Sequence, residues 1–349
     1  MAQMRLGSLV LALWAACVGP AMSEDLAALL EDARAGGDEA SVLYVLQGTE
    51  THVAVAGKLR LGGRNARADD RFVLASVGKI FTAVAILQLA ERGKLGIDDP
   101  VSNWIDPEIA ASLALSGVTV RHLLTMTSGI EDYYTDDYLD EVLEEPAAQT
   151  PVNALRYAEG PRLFAPGTQF DYSNTNYLLL QLVLEQASGQ SMAEYFQLNI
   201  FDAFGMEKTY VFGTRAHPDD FVAGYEDLGA GPEDVSFYYL GQGFGDGGVI
   251  STAKEVAGFY RALFVRREVL SAQSLKMMLR DPLGEGYGMG VEAVDVPGLG
   301  MVYGHSGADL GFSADVRLAV KSGDIAVALF ASGEADGAVT EEALALLSQ

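Results

Sequence analysis

Strand-forming sequence is concentrated at the two ends of this chain, and that distribution constrains the fold more than any other feature. Near the amino end, Val42-Leu43-Tyr44-Val45-Leu46 and Thr51-His52-Val53-Ala54-Val55 flank the short connection Gln47-Gly48-Thr49-Glu50, a hairpin signal. Near the carboxyl end, strand-like segments follow at short spacing over Tyr287–Glu292, Gly300–Gly304, Ser313–Val320 and Ile325–Ala331, and Glu341–Ser348 closes as a helix. Asp25–Ala35 has helical periodicity. Between the two ends, up to about residue 265, the chain reads mostly as helix and loop. Asn176–Ser188 is strongly apolar and stops at Gly189, with further helices over Thr119–Met126, Met192–Phe204 and Ala253–Val265. Ser251 or Thr252 can cap the last of these. The pattern predicts an α/β (α+β) fold: one antiparallel β-sheet built from both termini and flanked by helices, with a mostly helical region inserted. The expected parts are about 24–80 with 266–349 for the sheet, and about 81–265 for the helical insertion.

The amino end reads as an export signal. Arg5 is the charged flank, Leu6–Val18 the apolar stretch, and Ala21-Met22-Ser23 a small-x-small cleavage site before Glu24. Residues 1–23 are therefore expected to be removed, leaving 24–349 as a periplasmic or secreted protein. A lipoprotein at Cys17 is the second reading, carried by Trp14-Ala15-Ala16-Cys17. Cys17 is the only cysteine, so cleavage at Ser23 leaves neither a disulfide nor a thiol nucleophile. No long apolar run follows, so no membrane span is expected in the mature chain. The net charge of −25 argues against nucleic acid and anionic membranes as partners. The four histidines, His52, His122, His217 and His305, are scattered and lack metal-ligand spacing, so no metal or other cofactor is expected.

The chemistry centres on Ser76-Val77-Gly78-Lys79, where a serine opens an apolar helical run and a lysine follows one turn on. Residues three apart share a helix face, which puts an amine beside the hydroxyl. A lysine shielded from water can take the serine's proton, and a helix amino end offers N–H groups to a developing oxyanion. Alone, this spacing also fits a capping serine with a surface lysine. Asp171-Tyr172-Ser173-Asn174 adds a phenol suited to proton relay and an amide suited to hold a substrate carbonyl while accepting from lysine. His305-Ser306-Gly307-Ala308 adds a strand edge whose glycine lets substrate approach, with the N–H of Ala308 as a second oxyanion donor beside that of Ser76.

In this order, Ser76-Val77-Gly78-Lys79, Tyr172-Ser173-Asn174 and His305-Ser306-Gly307 resemble the three active-site motifs of the serine β-lactamase and penicillin-binding-protein superfamily. The branch resembled is that of class C β-lactamases, D,D-peptidases and esterases. Leu123–Gly129, Pro166–Asn174, Gly205–Thr209, Gly247–Thr252 and Gly304–Gly307 share the likeness, which covers roughly residues 40–335. The resemblance implies a β-lactamase/transpeptidase-like fold and an acyl-enzyme. It makes Ser76 the nucleophile, Lys79 a helper in its deprotonation and Tyr172 the general base of acylation and proton relay to the leaving group, with the base role open between these two; Asn174, His305 and Gly307 are substrate-binding, and the N–H groups of Ser76 and Ala308 form the oxyanion hole. The implied substrate is an ester, a small amide or a short D-amino-acid peptide. A β-lactamase and a non-turnover penicillin-binding sensor or scaffold are the alternatives. Most β-lactamases of this branch carry lysine where this chain has His305, and a mostly neutral imidazole holds a penicillin carboxylate poorly. The acidic run Glu131–Glu141 is read as a solvated loop, or as a device that disfavours anionic substrates.

Overall fold

Residues 20–34, 37–145, 149–214, 216–229, 231–333, 335 and 337–347 are described by a computed structural model. The expected signal segment lies outside them up to residue 19, and the expected cleavage point after Ser23 falls inside the first helix, α1 (Pro20–Ala33). Among the described residues, no helix is long and apolar enough to cross a membrane.

Six strands form the main sheet: β1 (Ser41–Gln47), β2 (Glu50–Ala56), β8 (Glu292–Val296), β9 (Gly300–Asp309), β10 (Phe312–Ala319) and β11 (Ile325–Phe330). They run in the order β2-β1-β11-β10-β9-β8, every pair antiparallel. The two ends of the chain therefore meet at the β1–β11 pair, where Ser41 lies opposite Phe330. Every residue of β11 is buried, because apolar layers cover both faces of the sheet. On one face, Leu26 and Leu30 of α1 pack with Val339 and Leu344 of the last helix, α11 (Val339–Leu346), over Leu43, Val45, Ala326 and Ala328. The other face carries the larger core.

That core is organised by α2 (Lys79–Glu91) and α7 (Thr175–Ser188). α2 is buried from Lys79 to Leu89 on all sides, as a helix apolar all round must be. Around them lie short helices: α3 (Pro107–Ser112), α4 (Val120–Leu124), α5 (Asp136–Glu144), α6 (Pro151–Leu155), α8 (Met192–Phe196), α9 (Ala253–Tyr260) and α10 (Ala272–Met278). Thr252, not Ser251, caps α9, accepting from the N–H of Glu255. A small sheet, β3 (Phe72–Val73), β7 (Val249–Ser251) and β4 (Tyr210–Val211), ties the start of the nucleophile segment to the middle of the chain. A surface hairpin, β5 (Tyr225–Asp227) with β6 (Pro232–Asp234), completes the strands described.

Two expectations are corrected. Tyr287–Glu292 is not a continuous strand: glycines at 288 and 290 interrupt it, Tyr287 makes an isolated bridge to Glu292, and β8 begins at Glu292. The acidic run is not one solvated loop, because Asp136–Glu144 folds as α5, capped by Thr135 and anchored by buried Tyr138 and Val142.

Phe81 of α2 meets Phe196, Phe201 and Phe259, with centroids at 6.3, 5.5 and 4.7 Å. Phe81→Ala is expected to destabilise the protein by roughly 3–5 kcal/mol through the cavity it leaves, measured by urea unfolding.

Candidate active site

Ser76 sits in a 3-10 turn, Ala75–Gly78, that runs directly into α2. The residue before it, Ala75, has φ +45°, a left-handed conformation that non-glycine residues avoid. Close backbone contact holds it there. A Cβ on Gly247 would lie 3.0 Å from the Ala75 carbonyl carbon, and one on Gly78 would lie 3.2 Å from the Gly247 Cα. The turn is pinned from the other side by Leu74, whose N–H donates to the Val249 carbonyl at 2.9 Å.

Lys79 is fully buried. Its Nζ lies 2.8 Å from Ser76 Oγ, 2.7 Å from Asn174 Oδ1 and 2.7 Å from the Asp246 carbonyl oxygen. The last two groups only accept, so each fixes one N–H of the amine. The third contact is to a hydroxyl, which can accept from an ammonium or donate to a neutral amine. The arrangement thus suits proton exchange between Ser76 and Lys79 without movement of either.

Asn174 precedes α7 and is clamped by an acid that sequence reasoning missed. Its Nδ2 donates to Asp132 Oδ2 at 2.9 Å and its backbone N–H to Asp132 Oδ1 at 3.2 Å. Nδ2 carries two hydrogens, so one is left for a substrate carbonyl. Tyr172 is half-buried, and its ring centroid stands 5.1 Å from Lys79 Nζ. The contact between these two residues is therefore ring to amine.

β9 brings in the remaining residues and is longer than the sequence suggested, reaching through His305 to Asp309. Gly307 faces the nucleophile turn so closely that a Cβ there would lie 2.8 Å from the Ser76 nitrogen. The Ser306 N–H points away from β10, donating to Glu292 Oε1 at 3.2 Å. N–H directions alternate along a strand, so the Ala308 N–H points to the same free edge. Ala308 lines the cleft together with Ser76.

His305 borders the cleft beside Ser306 and Gly307 but is closed off from solvent. It is 1% exposed, and both ring nitrogens meet protein groups. Nδ1 lies 2.5 Å from the Ser306 carbonyl oxygen and Nε2 3.1 Å from the Tyr287 hydroxyl. A carbonyl only accepts, so Nδ1 carries a proton, and in the neutral imidazole Nε2 is left to accept from the Tyr287 hydroxyl. Burial pushes its pKa down from the usual 6.5 to about 4. His305 thus supports the strand and the Tyr172 ring, 6.2 Å away between centroids.

The far half of the cleft is acidic and aromatic. Tyr133, fully buried, donates to Asp246 Oδ2 at 2.7 Å, and Tyr134 donates to Asp309 Oδ1 at 2.6 Å. Burial raises the pKa of Asp132, Asp246 and Asp309, the last to about 6. Among the described residues, no group of three or more His, Cys, Asp or Glu is placed to hold a metal ion.

The Beta-lactamase family model matches residues 26–349. This chain belongs to that family. Among its relatives, penicillin-binding protein 4* of Bacillus subtilis is 31% identical over 72% of this chain and 58% of its own length. Esterase EstB of Burkholderia gladioli is 34% identical over 48% of this chain and 45% of its own. The chain thus spans only about half the length of these two proteins. A D-stereospecific amidohydrolase from Streptomyces sp. superposes with a TM-score of 0.83 at 28% identity, covering 92% of this chain and 98% of the other. The β-lactamase/transpeptidase-like fold expected from the motifs is the fold found.

Two outcomes are expected. Gly307→Ala should lower kcat/KM at least about a hundredfold by displacing the nucleophile turn, with an unchanged far-ultraviolet spectrum. His305→Gln should remove a pH dependence of stability. The unfolded imidazole binds a proton below about 6.5 and the buried one only near 4, so stability that is complete above pH 7 is lost as pH falls through that window. Asp309 titrates in the same window with the opposite sign, so the informative quantity is the difference between wild type and variant. Wild type should lose more stability than His305→Gln between pH 7.5 and pH 4.5, measured by denaturant midpoints.

Proposed function

We propose that this protein is an exported serine hydrolase that acylates Ser76 and acts on esters or small amides, including amides of D-amino acids. The single observation that carries the reading is the amine of Lys79 held between Ser76 Oγ, Asn174 Oδ1 and the Asp246 carbonyl. A buried lysine with that coordination has a clear chemical use in taking the nucleophile's proton. Relatives named as an esterase and a D-stereospecific amidohydrolase support the substrate class, and the amino-terminal sequence supports export.

In the proposed cycle, Lys79 accepts the Ser76 proton as Oγ attacks the substrate carbonyl carbon. The carbonyl oxygen becomes an oxyanion between the N–H groups of Ser76 and Ala308. The tetrahedral adduct collapses as the bond to the leaving group breaks. The proton passes from Lys79 to that group, with Tyr172 bordering its exit. Water then attacks the acyl-Ser76 ester, giving up its proton to the same pair; the bond to Ser76 Oγ breaks, that proton returns to Oγ, and the acid leaves. Tyr172, at the border of the cleft, is the second group that could serve these transfers. The spare N–H of Asn174 holds the acyl portion. β-Lactam hydrolysis uses the same steps, but the neutral His305 offers no cation to a penicillin carboxylate, so β-lactams are placed second.

The test is a stopped-flow burst with p-nitrophenyl acetate, D- and L-phenylalanine amide, and nitrocefin. A burst of one equivalent with turnover of ester and D-amide is expected. Ser76→Ala should lose at least about 10³-fold in kcat. Equal activity in Ser76→Ala, or a stoichiometric burst without turnover, would overturn the reading, the latter in favour of a sensor.

A further inference from the structure

Glu292 opens β8 and lines the cleft in the half that also holds Ser76, Tyr172, Ser306 and Ala308. Its carboxylate makes an unusual set of contacts. Oε1 accepts from the Ser306 backbone N–H at 3.2 Å and from Ser306 Oγ at 3.1 Å. Oε2 accepts from Arg317 at 2.5 Å, and Arg317 is also paired with Asp315 at 2.8 Å. Glu292 is thus fixed at both oxygens, with its side chain about one-fifth exposed to the cleft.

Ser306 is the next free-edge donor along β9 from Ala308, roughly 6.6 Å away at strand rise. A substrate whose carbonyl oxygen is held at Ala308 and which extends along this edge on the Tyr172 side reaches Ser306. There it meets two donors already facing a carboxylate of the protein's own chain. A substrate carboxylate at this position would have to displace Glu292 or lie beside its charge. The cation beside it, Arg317, is already shared between Glu292 and Asp315, and no lysine or arginine is among the described residues lining either half of the cleft. Asp246 and Asp309 line the other half. His305, beside Ser306, has both nitrogens engaged in its neutral form.

We infer that Glu292 is a specificity residue: an internal carboxylate standing where a substrate's own carboxylate would pair, which restricts the enzyme to substrates whose leaving portion is uncharged. The inference rests on the serine-hydrolase reading above and narrows it to esters and primary or neutral secondary amides. Peptides ending in a free carboxylate beside the scissile bond, and β-lactams with their ring carboxylate, are disfavoured.

The experiment compares two matched esters, 3-acetoxybenzamide and 3-acetoxybenzoate, which share an acyl group and differ in leaving-side charge. In wild type, kcat/KM for the neutral ester should exceed that for the anionic one by at least about tenfold, and the ratio should narrow several-fold between low salt and about 1 M salt. Glu292→Gln, which keeps the shape and removes the charge, should cut the ratio by about tenfold, chiefly through a lower KM for the anionic ester. If both esters lose activity equally in Glu292→Gln, the residue only braces the strand and the inference fails. Should that variant not fold, the wild-type ratio decides: a ratio near one, or one indifferent to salt, overturns the inference. Failure of the underlying reading looks different, because wild type would then turn over neither ester and Ser76 would not be acylated.

Discussion

A lysine amine without solvent contact must find its hydrogen-bond partners inside the protein, and in this molecule that requirement joins three separate stretches of chain. Leaving such a group unpaired would cost several kcal/mol, and ionising it without partners would cost more. Its three partners come from the turn before α2, the residue before α7 and the loop before β7. Each partner is held in turn: Asn174 by Asp132, Asp246 by Tyr133, and Ser76 by the strained Ala75 turn against Gly247. The helical region and the small sheet are thus fixed to one another through one nitrogen atom. The same contacts leave that nitrogen pointed at a hydroxyl, so the arrangement that satisfies a buried polar group also prepares the nucleophile.

Close backbone approach is the second constraint. β9 can pass over the Ser76 turn only because position 307 has no side chain, and Gly78 and Gly247 meet with almost no space between them. Small displacements at these points move the oxyanion donors relative to the hydroxyl. The oxyanion site is therefore a property of packing between the sheet and the turn, and no single loop contains it.

Much of this was legible in the sequence, for physical reasons. A nucleophile and its base need short, fixed spacing, so Ser76 and Lys79 announce themselves, and Tyr172 with Asn174 does so one motif later. Apolar alternation located the hairpin and the strands β10 and β11, because both are buried on at least one face. Asp132, Asp246 and Glu292 were not legible. Each is one acid among 48, its partner lies far away in the chain, and no local spacing marks it. The end of β9 was underestimated because His-Ser-Gly-Ala lacks apolar alternation: there the strand borders a cleft and its outward side chains need not be apolar. His305 is the opposite case. Its identity was visible, but its burial, and hence its neutral state and its bond to Tyr287, depended on tertiary packing.

The sheet that joins both ends of the chain also sets the order of events in biosynthesis. Ser76, Lys79, Tyr172 and Asn174 leave the ribosome well before β9, β10 and β11, and β1 gains its partner β11 only once Ile325–Phe330 has been made. A nascent chain that has the nucleophile and its base still lacks the strand that carries Ala308. Long-range pairing of this kind is slow and comes late. The fold thereby completes its oxyanion site only after the nucleophile and its base have been made.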